Sequence, residues 1–277
     1  MNLSWSQIFR LGLVQMALGA IVVLTTSTLN RLMVVEFSLP ALLPGALVGL
    51  HYGIQLSRPR WGFRSDVGGN RTRWIIGGMI TLALGGVGAT YAVTLFALNY
   101  WLALSASILS YGMIGIGVGA SGTSLLALLA TATAANRRAA AATITWLMMI
   151  FGIALTAGVA GQFLDPYSPE RLMAVVSTIA ILAIVLTVLA IWNIERSVRP
   201  RSSEPEVPFQ KALREVWAES KTRNFTIFVF LSMNAYFMQE LILEPYAGLV
   251  FGFTPGQSTS LSGAQNGGVF VGMLTVG

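Results

Sequence analysis

The chain contains no cysteine, which excludes disulfides and thiolate metal sites. It has one histidine, His51, and only 11 acidic side chains in 277 residues. No nucleophile–base pair and no metal cluster stands out, so an enzyme is not expected. Charged residues make up 10% of the sequence, where a soluble domain carries about 25%. The long uncharged runs that result have no place in a water-soluble fold. What the chain does have is apolar surface: 55% of residues are hydrophobic and the mean hydropathy is +0.70. The formal net charge is +6, an excess that in a membrane protein faces the cytoplasm rather than nucleic acid.

Seven apolar runs reach the roughly 20 residues that a helix needs to cross a hydrocarbon core of about 30 Å. They lie at 9–29, 37–57, 74–97, 103–131, 141–163, 172–193 and 225–249. The first is too long for the core of a cleavable signal peptide. An eighth run begins near Leu261 and is still apolar at Gly277, so the sequence reads as a truncated chain, ending inside a helix. With the N-terminus cytoplasmic, 15 of the 17 Lys and Arg residues fall on the cytoplasmic side. These are Arg10, the arginines of 58–73, the pair Arg137 and Arg138, and the basic residues of 196–223. Only Arg31 and Arg171 fall outside, a strong positive-inside signal.

The segment from Glu195 to Arg223 opens as a Pro/Ser/charge linker and then turns amphipathic. Phe209, Leu213, Val216 and Trp217 recur at helical spacing, and Lys211 and Glu215 form an i,i+4 pair. A short helix near 208–219 is expected on the cytoplasmic membrane surface. The organisation is then a six-helix bundle over 1–194, a linker over 195–224, and the start of a second bundle over 225–277. That is the outline of a transporter built from two six-helix halves, with inverted three-helix repeats in the first.

Four motifs stand out against this plan. The loop after the second run, Gly62-Phe-Arg-Ser-Asp66-Val-Gly-Gly69-Asn-Arg71-Thr-Arg73, resembles the signature loop of the major facilitator superfamily. Glycines permit a tight turn, and an Asp near a helix N-terminus can pair with arginines to latch neighbouring helices. Gly117-Val-Gly119-Ala-Ser-Gly122 matches the dinucleotide fingerprint, but no strand precedes it and no acid follows. Close helix packing explains it better. His51 lies within the second run, where an ionisable group faces the interior or a ligand. It is either hydrogen-bonded to a neighbouring helix or, as neutral imidazole, a metal ligand. Glu240 and Glu244 share one helix face, and Pro245 beside them frees backbone carbonyls. No Lys or Arg is placed in a neighbouring apolar run, so these carboxyls are expected to stand without a cation.

Over most of its length the chain resembles the PucC/LhaA family, the bacteriochlorophyll delivery branch of the major facilitator superfamily. The resemblance rests on Leu50-His51-Tyr52 leading into Arg58-Pro-Arg-Trp61-Gly-Phe-Arg-Ser-Asp66, on Phe228-Val-Phe-Leu-Ser-Met233, on Gln239 to Gly252, and on Leu261 to Gly268. Of the two branches the LhaA-like one is favoured. The resemblance implies an all-α integral membrane protein of the major facilitator fold, with the N-terminal six-helix half and the first two helices of the C-terminal half present. It implies a bacterial inner, intracytoplasmic photosynthetic membrane. It further implies assembly of light-harvesting antenna, with bacteriochlorophyll as cofactor and carotenoid or lipid as further candidates. Antenna polypeptides, the reaction-centre core complex and pigment-synthesis enzymes are the implied partners. On this reading His51 becomes a candidate axial ligand to the pigment magnesium. Tyr52 and Trp61 are candidates to pack on the macrocycle, and Glu240 and Glu244 complete the surface. A proton-coupled secondary transporter of a small solute or lipid is the alternative.

Overall fold

Helices begin where the sequence supplies a cap. The Gln7 amide donates to the Ser4 hydroxyl at 3.3 Å, and the Ser4 amide donates back to the Gln7 side chain at 2.9 Å, a reciprocal capping box. Asn70, Asn99 and Ser168 cap in the same way, accepting from the amides of Arg73, Leu102 and Arg171 at 3.4, 3.0 and 3.1 Å. The computed structural model describes residues 2–59, 70–197 and 209–276. Its principal helices are α1 Trp5–Glu36, α2 Leu42–Gln55, α3 Arg71–Leu95, α4 Tyr100–Ala132, α5 Arg138–Leu164, α6 Pro169–Ile191, α7 Ser220–Phe251 and α8 Pro255–Val276. A ten-residue helix, Phe209–Ala218, precedes α7. Its Leu213, Val216 and Trp217 are exposed. No strand occurs among the described residues. Six helices, α1 and α3 to α7, are long and apolar enough to cross a membrane. The chain is an all-helical, multi-pass membrane protein.

Three expectations need correction. The first apolar run does not stop at residue 29. α1 continues to Glu36, 32 residues in all, or roughly 48 Å at the helical rise. Arg31 therefore sits in a helix and not in a loop, and it is 2% exposed. Two π-helical stretches, Leu24–Thr28 and Leu32–Glu36, flank it, and such wide turns occur mostly at functional positions. The second run forms only the 14-residue α2, starting at Leu42 after Pro40. The eighth helix starts at Pro255, six residues before the apolar run, because its first turns are rich in Ser and Thr. Trp61, Gly62, Asp66 and Gly69, expected above at the pigment surface and in the signature loop, lie outside the described residues.

Packing follows small residues. α3 lies against α4, α1 against α5, both α1 and α3 against α6, and α2 against α4. α3 and α4 approach closely. A Cβ added at Gly78 would lie 2.5 Å from the Ser121 amide nitrogen and 2.8 Å from the Gly117 carbonyl oxygen. The fingerprint-like segment Gly117–Gly122 is thus a helix–helix contact, with Gly117, Gly119, Ser121 and Gly122 all buried, as small residues permit in a membrane. α8 packs along α5, and α7 meets α8 and the Leu24–Glu36 end of α1. The first half of α7 is bare by comparison: Phe225, Phe228, Phe230 and Leu231 are 60–67% exposed.

Candidate functional site

Pro245 organises the first part of the site. A proline has no N–H to give to the carbonyl four residues before it, which here is that of Leu241. The Asn30 side chain, from α1, donates to that carbonyl at 2.7 Å. One residue on, Arg31 donates through Nη1 to Glu36 at 2.5 Å and through Nη2 to the Phe253 carbonyl at 2.6 Å. Its Nε is buried with no partner and lies against Gly248. The expectation that the acids of α7 stand without a basic neighbour is overturned: Arg31 lies within electrostatic reach of Glu244. The apolar run at 9–29 ends short of this arginine, whereas α1 carries it inside the helix.

Glu244 is fully buried. Ser262 donates to its Oε1 at 2.8 Å, while Thr259 and Ser258 donate to Oε2 at 3.3 and 3.5 Å. Ser27 of α1 bonds to the same carboxyl. Ser27 also meets Ser262 at 3.3 Å, and Thr28 meets Thr259 at 3.1 Å. A seam of hydroxyls thus joins α1 to α8 with Glu244 at its centre. None of these Ser and Thr residues was singled out in the sequence, although Thr25-Thr-Ser-Thr28 and Ser258-Thr-Ser-Leu-Ser262 are unusual clusters within apolar surroundings. Beyond Arg31 the seam opens into a cleft of about 700 Å³ lined by Arg31, Glu36, Asp165, Tyr167, Phe253 and Thr254. There the Asp165 carboxylate accepts from the Thr254 hydroxyl at 2.6 Å and the Gly256 amide at 3.2 Å, capping α8 from the α5–α6 connection.

Glu240 shares the helix face of Glu244 but has a different setting, and part of its surface stays open. Asn266 lies within side-chain reach of it, accepts from the Tyr236 hydroxyl at 3.5 Å and donates to the Ser262 carbonyl at 3.0 Å. Tyr52 of α2 lies within electrostatic reach of Glu240, and its ring meets Phe237 at 5.4 Å between centroids. The structure therefore brings Tyr52 and Glu240 together, with Glu244 one turn along the same helix.

His51 is in contact with Tyr52, 4.6 Å between ring centroids, but is itself 1% exposed. Its Nε2 lies 2.8 Å from the Gln55 side-chain nitrogen. Arg58 donates to the Gln55 oxygen, and because a guanidinium can only donate, the Gln55 NH₂ must face His51. Nε2 is then the acceptor and Nδ1 carries the proton. Nδ1 is buried without a partner. Gln55, four residues on, was the visible sign of this bond.

The described part of the signature loop reaches a second latch. Glu195 accepts from the amides of Arg71 and Thr72 at 2.8 Å each, and from the Thr72 hydroxyl at 2.6 Å. Arg71 also donates to the Thr131 hydroxyl, whereas Arg73 sits at the capped third position of the helix. An anion on the first turn of α3 satisfies orphan N–H groups and the helix dipole together. Replacing Glu195 by Ala should cost about 1 kcal/mol, the usual loss for a helix cap, read as a lowered midpoint of thermal unfolding in detergent. An unchanged midpoint would show the latch to be idle.

Among the described residues, no group of three or more His, Asp or Glu could hold a metal ion. The chain is 66% identical over its full length to the protein named "Bacteriochlorophyll synthase 44.5 kDa chain" of Rhodobacter capsulatus, covering 65% of that relative. It is 30% identical over 96% of its length to "Protein PucC" of Cereibacter sphaeroides, covering 61% of it. It is 28% identical over 98% of its length to "Protein PucC" of Rhodobacter capsulatus, covering 62% of it. The chain spans less than two thirds of each of these relatives. The family profile described as "PUCC protein" matches residues 28–277, a stretch that holds α2 to α8, the Glu240 patch and the hydroxyl seam apart from Ser27, and the chain belongs to the PucC family.

Proposed function

We propose that this chain is an assembly factor for bacterial light-harvesting antenna, which handles or delivers bacteriochlorophyll as antenna polypeptides meet the reaction-centre core. Family membership supports this, as does the word bacteriochlorophyll in the name of the 66% identical relative. The observation that carries it is the patch in which Tyr52, Tyr236, Phe237 and Glu240 bring aromatic rings and a partly open carboxyl together on α2 and the apolar α7. That combination suits a flat, apolar ligand with a polar centre. Carotenoid or lipid would share the apolar part only.

The fold we assign is the N-terminal half of a major facilitator, residues 1–194, then a linker and surface helix over 195–224, then the start of a second bundle over 225–277. The helix pairings support it. Exchanging α1, α2, α3 with α4, α5, α6 maps α1–α5 onto α4–α2 and α1–α6 onto α4–α3, and α3–α6 onto itself, as a three-helix repeat requires. The distribution of Lys and Arg supports a cytoplasmic N-terminus in the bacterial inner, photosynthetic membrane.

The test is pigment analysis of the protein purified from a bacteriochlorophyll-making host, together with His51→Leu and Glu240→Gln. Bound near-infrared pigment is expected in the wild type, with lower pigment retention and antenna yield in Glu240→Gln. Wild-type pigment and antenna levels in both variants would refute the site. The second reading is proton-coupled transport, which the enclosure of Glu244 in a hydroxyl seam favours. Proton-driven solute flux into vesicles holding pigment-free protein would establish it. The synthase name of one relative is met by the same preparation: pigment turnover by the purified chain alone would make it an enzyme.

A further inference from the structure

His51, Glu240 and Glu244 sit in the apolar helices around the proposed pigment surface, and the structure treats them differently. His51 is sealed, its Nε2 engaged by Gln55 and its Nδ1 protonated and enclosed. Glu244 is sealed within its ring of hydroxyls. Glu240 alone of the three keeps open surface. The chemistry of the donors points the same way. Magnesium is a hard cation that favours oxygen ligands, and carboxylates are among its usual protein partners. The buried amide of Asn266 lies within side-chain reach of Glu240 and donates to the Ser262 carbonyl at 3.0 Å, the kind of outer support that orients a metal-binding carboxylate. Tyr52, Tyr236 and Phe237 flank it with ring contacts of 5.4 and 5.5 Å.

We propose that Glu240, not His51, is the residue through which this chain meets the magnesium of a bacteriochlorophyll, with Asn266 as its positioning residue. The assignment rests on the pigment-handling reading above. His51 is a structural residue that, through Gln55 and Arg58, fixes the end of α2 and so the place of Tyr52.

The experiment compares binding of bacteriochlorophyll a and of its magnesium-free counterpart, bacteriopheophytin a, to the purified full chain, read by the shift of the near-infrared band on titration. The wild type is expected to favour the magnesium pigment. Glu240→Gln should lose that preference by about tenfold or more, and Asn266→Ala by a smaller factor, on the 10–100-fold scale of outer-shell losses. Glu240→Asp keeps a carboxylate and should keep the preference, which guards against a folding artefact. His51→Asn should leave it unchanged. Retention of the magnesium preference in Glu240→Gln, or its loss in His51→Asn alone, overturns the assignment. If the wild type binds both pigments equally, the magnesium contact is wrong while the pigment reading stands. If it binds neither, the pigment reading itself falls, and this assignment with it.

Discussion

Arg31→Leu is expected to cost about 3 kcal/mol or more, at the lower end of the 3–5 kcal/mol found when one partner of a buried ion pair is removed. The lower end applies because Glu36 is 36% exposed and keeps some of its hydration. The substitution leaves the Phe253 carbonyl without its donor and removes the cation nearest Glu244. Arg31→Lys should recover only part of the loss. An ammonium is a point charge and cannot span Glu36 and Phe253 as the guanidinium fork does. Denaturant unfolding in detergent measures both variants. Wild-type stability in Arg31→Leu would mean that the seam between α1 and the α7–α8 turn is held by apolar contact alone.

The second large effect is expected at the contact of α3 and α4. A Cβ at Gly117 would fall 2.7 Å from the Gly78 carbonyl oxygen and from the Leu82 Cα. Those are backbone atoms of a packed helix, so the helices must separate. Gly117→Val should therefore destabilise by about 3 kcal/mol, the upper part of the range for overpacking. Gly49→Ala is the control: a Cβ there meets nothing within 4 Å, and the better helix propensity of Ala should leave stability equal or raised. Equal behaviour of the two variants in the same unfolding assay would remove close packing as the reason for the glycines of α4.

The helices of the middle of the chain, α3 to α6, are legible because each apolar run there has a membrane-crossing length and caps such as Asn99 and Ser168 sit at the run ends; the bounds of α1, α2 and α8 are not. The seam was not legible. Hydropathy treats Ser27, Thr28, Thr259 and Ser262 as nearly neutral, and only tertiary contact across 231 and 235 residues of sequence tells that they face one another. Pro245 showed that a carbonyl would be freed, but that Asn30 takes it is a fact of packing. The spacing of Glu240 and Glu244 put both on one face, correctly, yet could not say that α8 encloses one and leaves the other open. Arg31 is misplaced in the sequence reading because the apolar run at 9–29 ends before it, whereas α1 continues through it to Glu36.

The enclosure of Glu244 sets an order on biosynthesis. α7 leaves the ribosome before α8, so its acid enters the bilayer when Ser258, Thr259 and Ser262 have not yet been made. Of the partners that the folded chain gives it, those of α1 are already made: Ser27 at the carboxyl and Asn30 at the Leu241 carbonyl. An early helix of the chain thus carries partners for a late one, and those of α8 follow.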